Sequence, residues 1–464
     1  MKTQFIHIAY FIASALFLVG LHDLTRPHTA RRGTSFAALG MLIAVIGTLF
    51  HQEIIRYEWI ILGLIVGTAI GIPMGLKIPM TKMPERIALS HSFGGLAIAL
   101  VGVVEYFRHA EKLTGVQMGT IGFEVFFGAV TFTGSLMAFG KLQELLPGRP
   151  ITFPQQNVIT VGSVIVAIGL IFVLAFDPSA TTTFNILLGL SFVLGVLLVL
   201  PIGGADMPVV ICLLNAYAGL AASASGFALD NMVLIICGAL DGGSGLVLSV
   251  LMCKAMNRSF TNVLFGAFGQ VAAPAPATTD AGTAPVQKAT VQSKTPEEAA
   301  EIFKKAKSVI VVPGYGMAVA QAQHIVREMA TLLEKNGTRV RYAIHPVAGR
   351  MPGHMNVLLA EADIPYDDLV DMDDINPEFP NTDISLVIGA NDVVNPAAKT
   401  DTTSPIYGMP ILDVESSRCV MVLKRSMNPG FAGIDNALFL RPNTIMIFGD
   451  AKQTLTKITA ALHA

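Results

Sequence analysis

The chain has 464 residues, of which 52% are hydrophobic and only 14% are charged. This composition is too apolar for an ordinary soluble protein, and the length is too great for one domain. The formal net charge of −2, with no basic cluster, argues against a nucleic-acid-binding protein. Of the 31 Lys+Arg and 33 Asp+Glu residues, 14 and 12 precede residue 261, where they stand between long apolar runs. We therefore predict a membrane part followed by a water-soluble part.

Nine apolar runs in the first part are long enough to cross a bilayer, which takes roughly 20 residues. The predicted spans are 4–22, 34–51, 57–76, 86–104, 122–140, 157–176, 183–202, 208–227 and 231–252. No cleavage site follows the first run, so we expect it to be retained. With the N-terminus outside and the second part cytoplasmic, ten basic residues face the cytoplasm and four face outward. This bias satisfies the positive-inside rule.

Ionisable groups inside spans are costly and usually functional. His91, one turn into the fourth span, can exchange a proton near neutral pH, although it could also be a structural histidine. Asn215 could hydrogen-bond a proton-carrying water. Asp206 is expected at the cytoplasmic junction of spans seven and eight, where a solvated turn carboxylate is the alternative interpretation. Asp241, near the middle of span nine, must be protonated, paired or part of a path. Glu124 is interpreted as an interfacial residue at the start of span five.

The third span carries glycines at every fourth position, namely Gly63, Gly67, Gly71 and Gly75. Such a stripe lets another helix backbone approach closely. Packing alone accounts for it, so no further function is assigned.

Metal and redox-centre patterns are not seen in the sequence. The four cysteines have neither paired nor metal-type spacing, so we predict no disulfide and no metal site. The lack of a haem, iron–sulfur or flavin ligand pattern disfavours a quinone-linked oxidoreductase.

The second part begins after a stretch rich in Ala, Pro, Thr, Gly and Gln, a composition that predicts a flexible linker. We place the membrane domain at 1–262, the linker at 263–294 and the soluble domain at 295–464. In the soluble domain short β-branched runs alternate with helical stretches, which predicts a parallel sheet with helices on both faces. The expected fold is an all-α polytopic membrane domain of about nine helices, followed by an α/β, doubly wound, Rossmann-like domain.

Glycines and polar residues follow each predicted strand. The turns after the strands ending at Val312, Ile344, Ile388, Leu423 and Phe448 contain Gly314-Tyr315-Gly316, His345 to Arg350, Gly389 to Asp392, Lys424-Arg425-Ser426 and Gly449-Asp450-Ala451. Open α/β sheets bind ligands at the carboxyl ends of their strands. We therefore expect these turns to form one nucleotide site.

The first turn suits a dinucleotide, because Gly314 and Gly316 allow a tight turn and close approach of the backbone to a pyrophosphate at a helix N-terminus. The second turn departs from an NAD site, since His345 stands where an acidic residue would bind the ribose hydroxyls.

Cationic side chains indicate which nucleotide is bound. Lys424 and Arg425 beside Ser426 suit a dianionic 2′-phosphate, so we predict NADP rather than NAD, unless the pair is only a solvated strand end. Arg350 can clamp phosphate or ribose oxygens. Asp392 could contact the cofactor, titrate with its redox state, or simply form an Asx turn.

In combination these motifs resemble a known family. The segments Gly314 to Gln323, His345 to Arg350, Gly389 to Asp392, Lys424 to Ser426 and Gly449 to Lys452 are similar to the NADP-binding domain of proton-translocating nicotinamide nucleotide transhydrogenase. Gly203 to Pro208 and Cys253 to Phe260 resemble the membrane part of the same family. The resemblance covers nearly the whole chain, as the beta subunit.

The resemblance implies an enzyme of the AB type in a bacterial cytoplasmic membrane. It implies an alpha subunit that binds NAD(H), an alpha2-beta2 assembly, and hydride exchange with NADP(H) on this chain coupled to inward proton movement. It places His91 and Asn215 in the proton path, Asp206 near the junction of the membrane and nucleotide domains, and Asp392 at the nucleotide. The implied cofactor-binding residues are Gly314, Tyr315, Gly316, Val347, Ala348, Gly349, Arg350, Met351, Pro352, Gly389, Ala390, Asn391, Asp392, Val393, Gly408, Met409, Lys424, Arg425, Ser426, Met427, Asn428, Pro429, Gly430, Phe431, Asp450 and Ala451.

Two residues depart from the family pattern. Phe431 stands where a tyrosine is expected, and Asp241 stands where an uncharged residue is expected, so no family role carries over to it. An alternative function is a membrane transporter or channel gated by a cytoplasmic NADP-sensing domain without redox chemistry.

Overall fold

A computed structural model describes residues 2–50, 56–109, 113–147, 151–203, 206–256, 260, 291–351, 353–402, 404, 406–430 and 433–463. The chain forms two compact units, one comprising Met1–Gly204 and Val210–Ser249 and the other Ala205–Val209 and Val250–Ala464. Pro352, Phe431 and most of the predicted linker lie outside the described residues. The domain limits at 262 and 294 stay predictions.

Nine helices among the described residues are long and apolar enough to cross a membrane, which confirms the predicted number of spans. They are α1 (Lys2–Leu24), α2 (Pro27–Leu49), α3 (Glu58–Leu76), α4 (Met83–His109), α5 (Gly115–Leu142), α6 (Gln156–Phe176), α7 (Thr181–Val199), α8 (Met207–Ala228) and α9 (Met232–Ala255). A short 3₁₀ turn, Met80–Lys82, precedes α4.

Helix α5 begins earlier than predicted because a capping box defines its start. Thr114 Oγ1 accepts a hydrogen bond from the Gln117 amide, and Gln117 Oε1 accepts one from the Thr114 amide, 3.1 Å away. Glu124 therefore lies well inside the helix, and its side chain is fully buried. The interpretation of Glu124 as an interfacial residue is wrong.

Glycines set the closest contacts between the membrane helices. A Cβ placed on Gly128 of α5 would lie 2.9 Å from the Ala99 amide nitrogen and 3.0 Å from the Gly95 carbonyl oxygen of α4. A Cβ on Gly219 of α8 would lie 2.2 Å from the Gly242 nitrogen of α9. Side chains of any size would force these helix pairs apart.

Helix α3 differs from the others, because none of its described residues is buried. Nothing lies within 4 Å of a Cβ placed on any of its four stripe glycines. Within the described part of this chain, no helix packs against the stripe, so the approach of a further helix stays a prediction.

The second unit contains a six-stranded parallel sheet in the order β3-β2-β1-β4-β5-β6. The strands are β1 (Ser308–Pro313), β2 (Arg339–Ile344), β3 (Leu369–Asp371), β4 (Ile384–Ile388), β5 (Cys419–Lys424) and β6 (Thr444–Phe448). The helices are α10 (Pro296–Phe303), α11 (Tyr315–Val319), α12 (Gln323–Lys335), α13 (His354–Glu361), α14 (Met372–Ile375), α15 (Ala397–Thr400) and α16 (Ala451–His463). The predicted doubly wound, Rossmann-like fold is confirmed.

Most strands of this unit are buried in its core, which explains why their apolar sequences predicted them. Every residue of β4 is buried, as expected for a central parallel strand covered on both faces. Strand β3 was not predicted, because it has three residues, is only partly buried and follows two acidic residues. The strand order reverses between β1 and β4, where the two connections leave in opposite directions and open a crevice.

The segment that precedes α10 runs along β6. The Met446 amide donates to the Gln292 carbonyl oxygen at 2.8 Å, and the Lys294 amide donates to the Met446 carbonyl oxygen at 3.1 Å. Ser293 thereby forms an isolated parallel bridge with Met446. Helix α10 follows directly, with a capping box between Thr295 and Glu298.

We predict that Gly128→Val in α5 lowers the free energy of unfolding by about 1–3 kcal/mol, because the added side chain must displace α4. The measurement is thermal unfolding of the full chain purified in detergent. Gly67→Val in α3 is the matched control and should leave the unfolding temperature nearly unchanged. Equal effects of the two substitutions would contradict the assigned packing.

Candidate functional site

A cavity of about 480 Å³ lies at the carboxyl ends of β1, β4, β5 and β6, in the size range of small-ligand sites. It is lined by Gly316, Val319, Ala320, Gly389, Ala390, Asn391, Leu423, Lys424, Arg425, Ser426, Asn428, Pro429, Gly430, Gly449, Asp450 and Ala451. Twelve of these are among the implied cofactor-binding residues, and Gly449 belongs to one of the turns expected to form the site. Val319, Ala320 and Leu423 were not singled out as site residues, because apolar residues carry little signal of their own.

The glycines of the first turn are needed by the protein itself. The Gly314 amide donates to the Ile388 carbonyl oxygen at 2.9 Å, and the Gly316 amide donates to the Gly389 carbonyl oxygen at 3.0 Å. A Cβ on Gly316 would lie 2.7 Å from the Gly389 Cα, and Gly389 has a φ of +63°. Contact between the turns after β1 and β4 thus requires glycine before any ligand is considered. Contact of these glycines with a pyrophosphate stays a prediction.

Positive charge gathers on the β5 side of the cavity. Lys424, Arg425 and Ser426 all line it, and the side chains of Arg425 and Ser426 are exposed. An exposed guanidinium beside a hydroxyl has its donors available to a phosphate from solution.

Lys424 is held in place within its own turn. Its Nζ donates to the Asn428 carbonyl oxygen and lies 5.0 Å from the centroid of the Phe439 ring. Burial lowers the pKa of Lys424, while the carboxylates of Asp392 and Asp435 act in the opposite direction. The ammonium group is therefore partly desolvated, which strengthens its attraction to an incoming anion.

The turn after β4 meets the segment that follows β5. Asn436 Nδ2 donates to both the carbonyl oxygen and the Oδ1 of Asn391, each at 3.0 Å. A Cβ on Gly430 would lie 2.2 Å from Asn391 Nδ2 and 2.8 Å from Asp392 Oδ1, so glycine is required where the two segments cross. Asn391 Nδ2 is buried and has no hydrogen-bond partner among the described residues. It can donate to an oxygen atom of a bound ligand.

A second group of predicted residues lies beside β2. The Arg350 guanidinium stacks 4.2 Å from the centroid of the Tyr315 ring, and the Arg350 amide donates to His354 Nδ1 at 3.1 Å. Gly349 has a φ of +103°, and a Cβ there would lie 2.6 Å from His354 Nδ1. The sequence did not point to His354, because a lone histidine at a helix start matches no motif.

Both ring nitrogens of His345 form hydrogen bonds with backbone groups of the protein. Its buried Nε2 donates to the Pro410 carbonyl oxygen at 2.8 Å, and its Nδ1 accepts from the Val347 amide. These contacts tie the turn after β2 to the segment that contains Gly408. Burial lowers the pKa of His345 to about 4, and burial together with the nearby Arg350 lowers the pKa of His354 to about 4. Both imidazoles are neutral at pH 7.

The other predicted cofactor residues have varied surroundings. Ala348 lines a smaller cavity of about 310 Å³ that also contains His345 and His354. Val393 and Met409 are buried, whereas Met427 is exposed. Asp450 Oδ1 accepts from the Gln453 amide at the start of α16, so this residue caps the helix. Pro352 and Phe431 lie outside the described residues, and Met351 lies in the turn before α13.

Two of the predicted membrane residues lie in two hydrogen-bonded pairs that join membrane helices. His91 Nδ1 shares a 3.0 Å hydrogen bond with Ser135 Oγ of α5, and the Asn215 amide of α8 donates to Asp241 Oδ1 of α9 at 2.9 Å. The negative charge of Asp241 also acts on the His91 imidazole. His91 Nε2 is buried without a hydrogen-bond partner in the described part of the chain. Ser135 was not predicted, since serines are frequent in membrane helices.

Asp206 lies apart from Asn215 along the chain. It immediately precedes α8, whereas Asn215 lies two turns into that helix, about 14 Å farther along the axis. This agrees with the expectation that Asp206 stands at the junction between spans seven and eight.

Two further polar groups are buried in the membrane helices. Ser225 Oγ donates to Glu124 Oε1 at 2.8 Å, which links α8 to α5. Lys141 Nζ donates to the carbonyl oxygens of Val199, Leu200 and Ile202, which links the end of α5 to the end of α7. Lys141 is one of the ten basic residues assigned to the cytoplasmic side, and its side chain is buried.

We predict that acid selectively weakens the nucleotide-binding fold. Between about pH 6.5 and 4 the unfolded chain protonates its histidines while the buried His345 stays neutral, so the unfolding free energy falls as pH decreases, by roughly 1–3 kcal/mol. In His345→Gln the loss of thermal stability between pH 7.5 and pH 5 should be smaller. The exposed His324→Gln is the control and should behave as the unmodified chain does. An identical pH dependence in the His345 variant would contradict the assignment.

Comparisons with known proteins add to this geometry. A family model described as NAD(P) transhydrogenase beta subunit matches residues 6–461. Two relatives from Rhodospirillum rubrum, one of them from a defined strain, are both named NAD(P) transhydrogenase subunit beta. Each is 48% identical over 467 residues, and the alignment covers 98% of this chain and 98% of the relative.

Proposed function

Since the chain belongs to the NAD(P) transhydrogenase beta subunit family, we propose that it binds NADP(H) and exchanges hydride with a nucleotide on an alpha subunit. We further propose that hydride transfer from NADH to NADP⁺ is coupled to inward proton translocation. The chain is a multi-pass membrane protein of a nicotinamide nucleotide transhydrogenase, and the subunit name implies an alpha partner.

The observation that carries the nucleotide assignment is the cavity at the strand ends with Lys424 and Arg425 on its wall. Two cations beside Ser426 fit the 2′-phosphate that distinguishes NADP from NAD. The absence of an acidic residue at the end of β2, where His345 is buried instead, also favours NADP over NAD. The buried Asn391 Nδ2 offers one further donor to the nucleotide.

Bound NADP supplies a nicotinamide ring that accepts hydride, and this chain supplies binding and orientation. Lys424 and Arg425 would hold the 2′-phosphate, and the Arg350 guanidinium stacked on Tyr315 would contact phosphate or ribose oxygens. Hydride transfer between two nicotinamides needs donor and acceptor carbons roughly 3 to 3.5 Å apart and no protein nucleophile. The alpha subunit must therefore present its nucleotide at the carboxyl edge of the sheet.

We assign proton movement to His91 and Asn215. We assign Asp206 to the junction of the membrane and nucleotide domains, which would transmit the effect of protonation to the nucleotide site. Support comes from the two hydrogen-bonded pairs inside the membrane helices, His91 with Ser135 and Asn215 with Asp241. Protonation there acts on the nucleotide by changing the relative affinities for NADP⁺ and NADPH. One charge crossing about 100 mV is worth roughly 2.3 kcal/mol, which shifts the nucleotide equilibrium by more than one decade.

The proposed orientation has the N-terminus outside and the nucleotide domain in the cytoplasm. The excess of basic residues in the cytoplasmic loops supports it. For the complete enzyme we propose an alpha2-beta2 assembly.

We predict that Lys424→Ala combined with Arg425→Ala weakens NADPH binding about 10- to 100-fold while leaving NADH binding nearly unchanged, because charge-assisted contacts to the 2′-phosphate are lost. Binding is measured by titrating nucleotide fluorescence with the full chain in detergent. Lys457→Ala, an exposed lysine on α16, is the control. An equal loss for both nucleotides would argue against a 2′-phosphate site.

We predict that His91→Asn abolishes coupled transhydrogenation and proton uptake in inverted membrane vesicles that contain the alpha and beta subunits, while NADPH binding persists. Reduction of an NADP analogue by NADH and the signal of a pH-sensitive dye are followed together. His109→Gln, an exposed histidine on the same helix, should retain both activities.

If the unmodified complex binds NADP but transfers no hydride, the chain is instead an NADP-sensing transporter or channel. Proton uptake that survives in His91→Asn would remove His91 from the path.

A further inference from the structure

Asp241 is a carboxyl group in the third turn of α9, well inside a membrane helix. Its side chain is exposed on the surface of this chain, whereas Gly242 beside it is buried against α8. An isolated ionised carboxylate facing hydrocarbon is costly, and such residues normally face a partner or a water-filled path. The surroundings of Asp241 therefore need a functional explanation.

The first contact of Asp241 is with Asn215 of α8. Asn215 Nδ2 donates to Asp241 Oδ1 at 2.9 Å, and an amide N–H is a good donor to an ionised carboxylate. Close backbone contacts fix this arrangement, because Gly219 meets Gly242 and Gly245 meets Ala216 on either side of it. The hydrogen bond thus joins two rigidly packed helices.

A second interaction links Asp241 to α4. The Asp241 carboxylate and the His91 imidazole of α4 are close enough to interact electrostatically. Cys237, one turn earlier on α9, is a further titratable group on which Asp241 acts. When His91 carries a proton, the imidazolium and the carboxylate attract each other, so each charge lowers the cost of the other inside the membrane.

We propose that Asp241 is a second proton-carrying group of this chain, acting in series with His91 and oriented by Asn215. The proposal rests on the proton-translocating function proposed above. In the step, the N–H bond of the His91 imidazolium breaks, a proton is relayed through water, and an O–H bond forms on an Asp241 carboxyl oxygen. The neutral acid then loses a proton to water and returns to the carboxylate, and no electrons or heavy atoms move.

The role of Asn215 follows from this assignment. Its amide stabilises the ionised form of Asp241, so it keeps the carboxylate ready to accept a proton. Asn215 carries no proton of its own, and it is a positioning residue.

The test compares Asp241→Asn and Asp241→Glu in the full alpha–beta complex in inverted vesicles. The asparagine side chain keeps an oxygen that can accept from Asn215 but cannot carry a proton, so a purely structural hydrogen bond survives in it. The glutamate retains a titrating carboxyl group. Ser244→Ala is the matched control, because Ser244 lies next to Asp241 on α9 and bonds only its carbonyl oxygen.

We expect Asp241→Asn to reduce proton uptake driven by transhydrogenation about 10-fold or more, and to remove one limb of the pH profile of the coupled rate. Asp241→Glu should restore both properties in part, and Ser244→Ala should leave them unchanged. NADPH binding should be normal in all three variants.

Normal proton uptake and an unaltered pH profile in Asp241→Asn would overturn the proposal and leave a structural hydrogen bond. Equal losses in the asparagine and glutamate variants would also overturn it, because they would indicate that packing rather than titration matters. If the unmodified complex moves neither hydride nor protons, the proposed function itself has failed, and that outcome is visible before any variant is examined.

Discussion

Close contact between backbones, which only glycine permits, determines where the functional side chains of both units lie. In the membrane helices, Gly95 and Gly128 bring α4 and α5 together beside the His91–Ser135 pair, and Gly219 and Gly242 bring α8 and α9 together beside the Asn215–Asp241 pair. Lipid offers no hydrophobic driving force between helices, so close packing and interhelical hydrogen bonds must hold them. The same constraint joins the turns after β1 and β4 at the nucleotide cavity.

This constraint separates rigid parts of the sites from adaptable ones. The turns that contain Gly316 and Gly389 cannot move apart without breaking hydrogen bonds between them, so they form a fixed floor. Arg425 and Ser426 are exposed and contribute side chains rather than a packed backbone. Selectivity for one nucleotide can therefore reside in exposed side chains above a fixed floor, and small shifts of those side chains are sufficient to change affinity.

The sequence predicted the fold and many of the residues around the cavity, because apolar length and strand-turn alternation are strong local signals. Contacts between segments that are distant in the sequence were harder to predict. Glu124 was misplaced because the Thr114–Gln117 capping box, not hydropathy, sets the start of α5. The glycines after β1 were explained by close approach to a ligand. In the structure, the atoms that exclude a side chain there belong to the turn after β4. Residues such as Ser135 and His354 gained importance only through tertiary neighbours that no local pattern reveals.

The segment that bonds to the edge of β6 has a mechanical consequence. Residues 292–294 run parallel to β6 and are bonded to Met446 on both sides, so tension applied along the preceding chain would load these bonds in shear. The loaded strand leads directly into Gly449, Asp450 and Ala451, which line the cavity. A pull on residues 292–294 is thus passed to β6 as a sliding force, and through β6 to the wall of the nucleotide site.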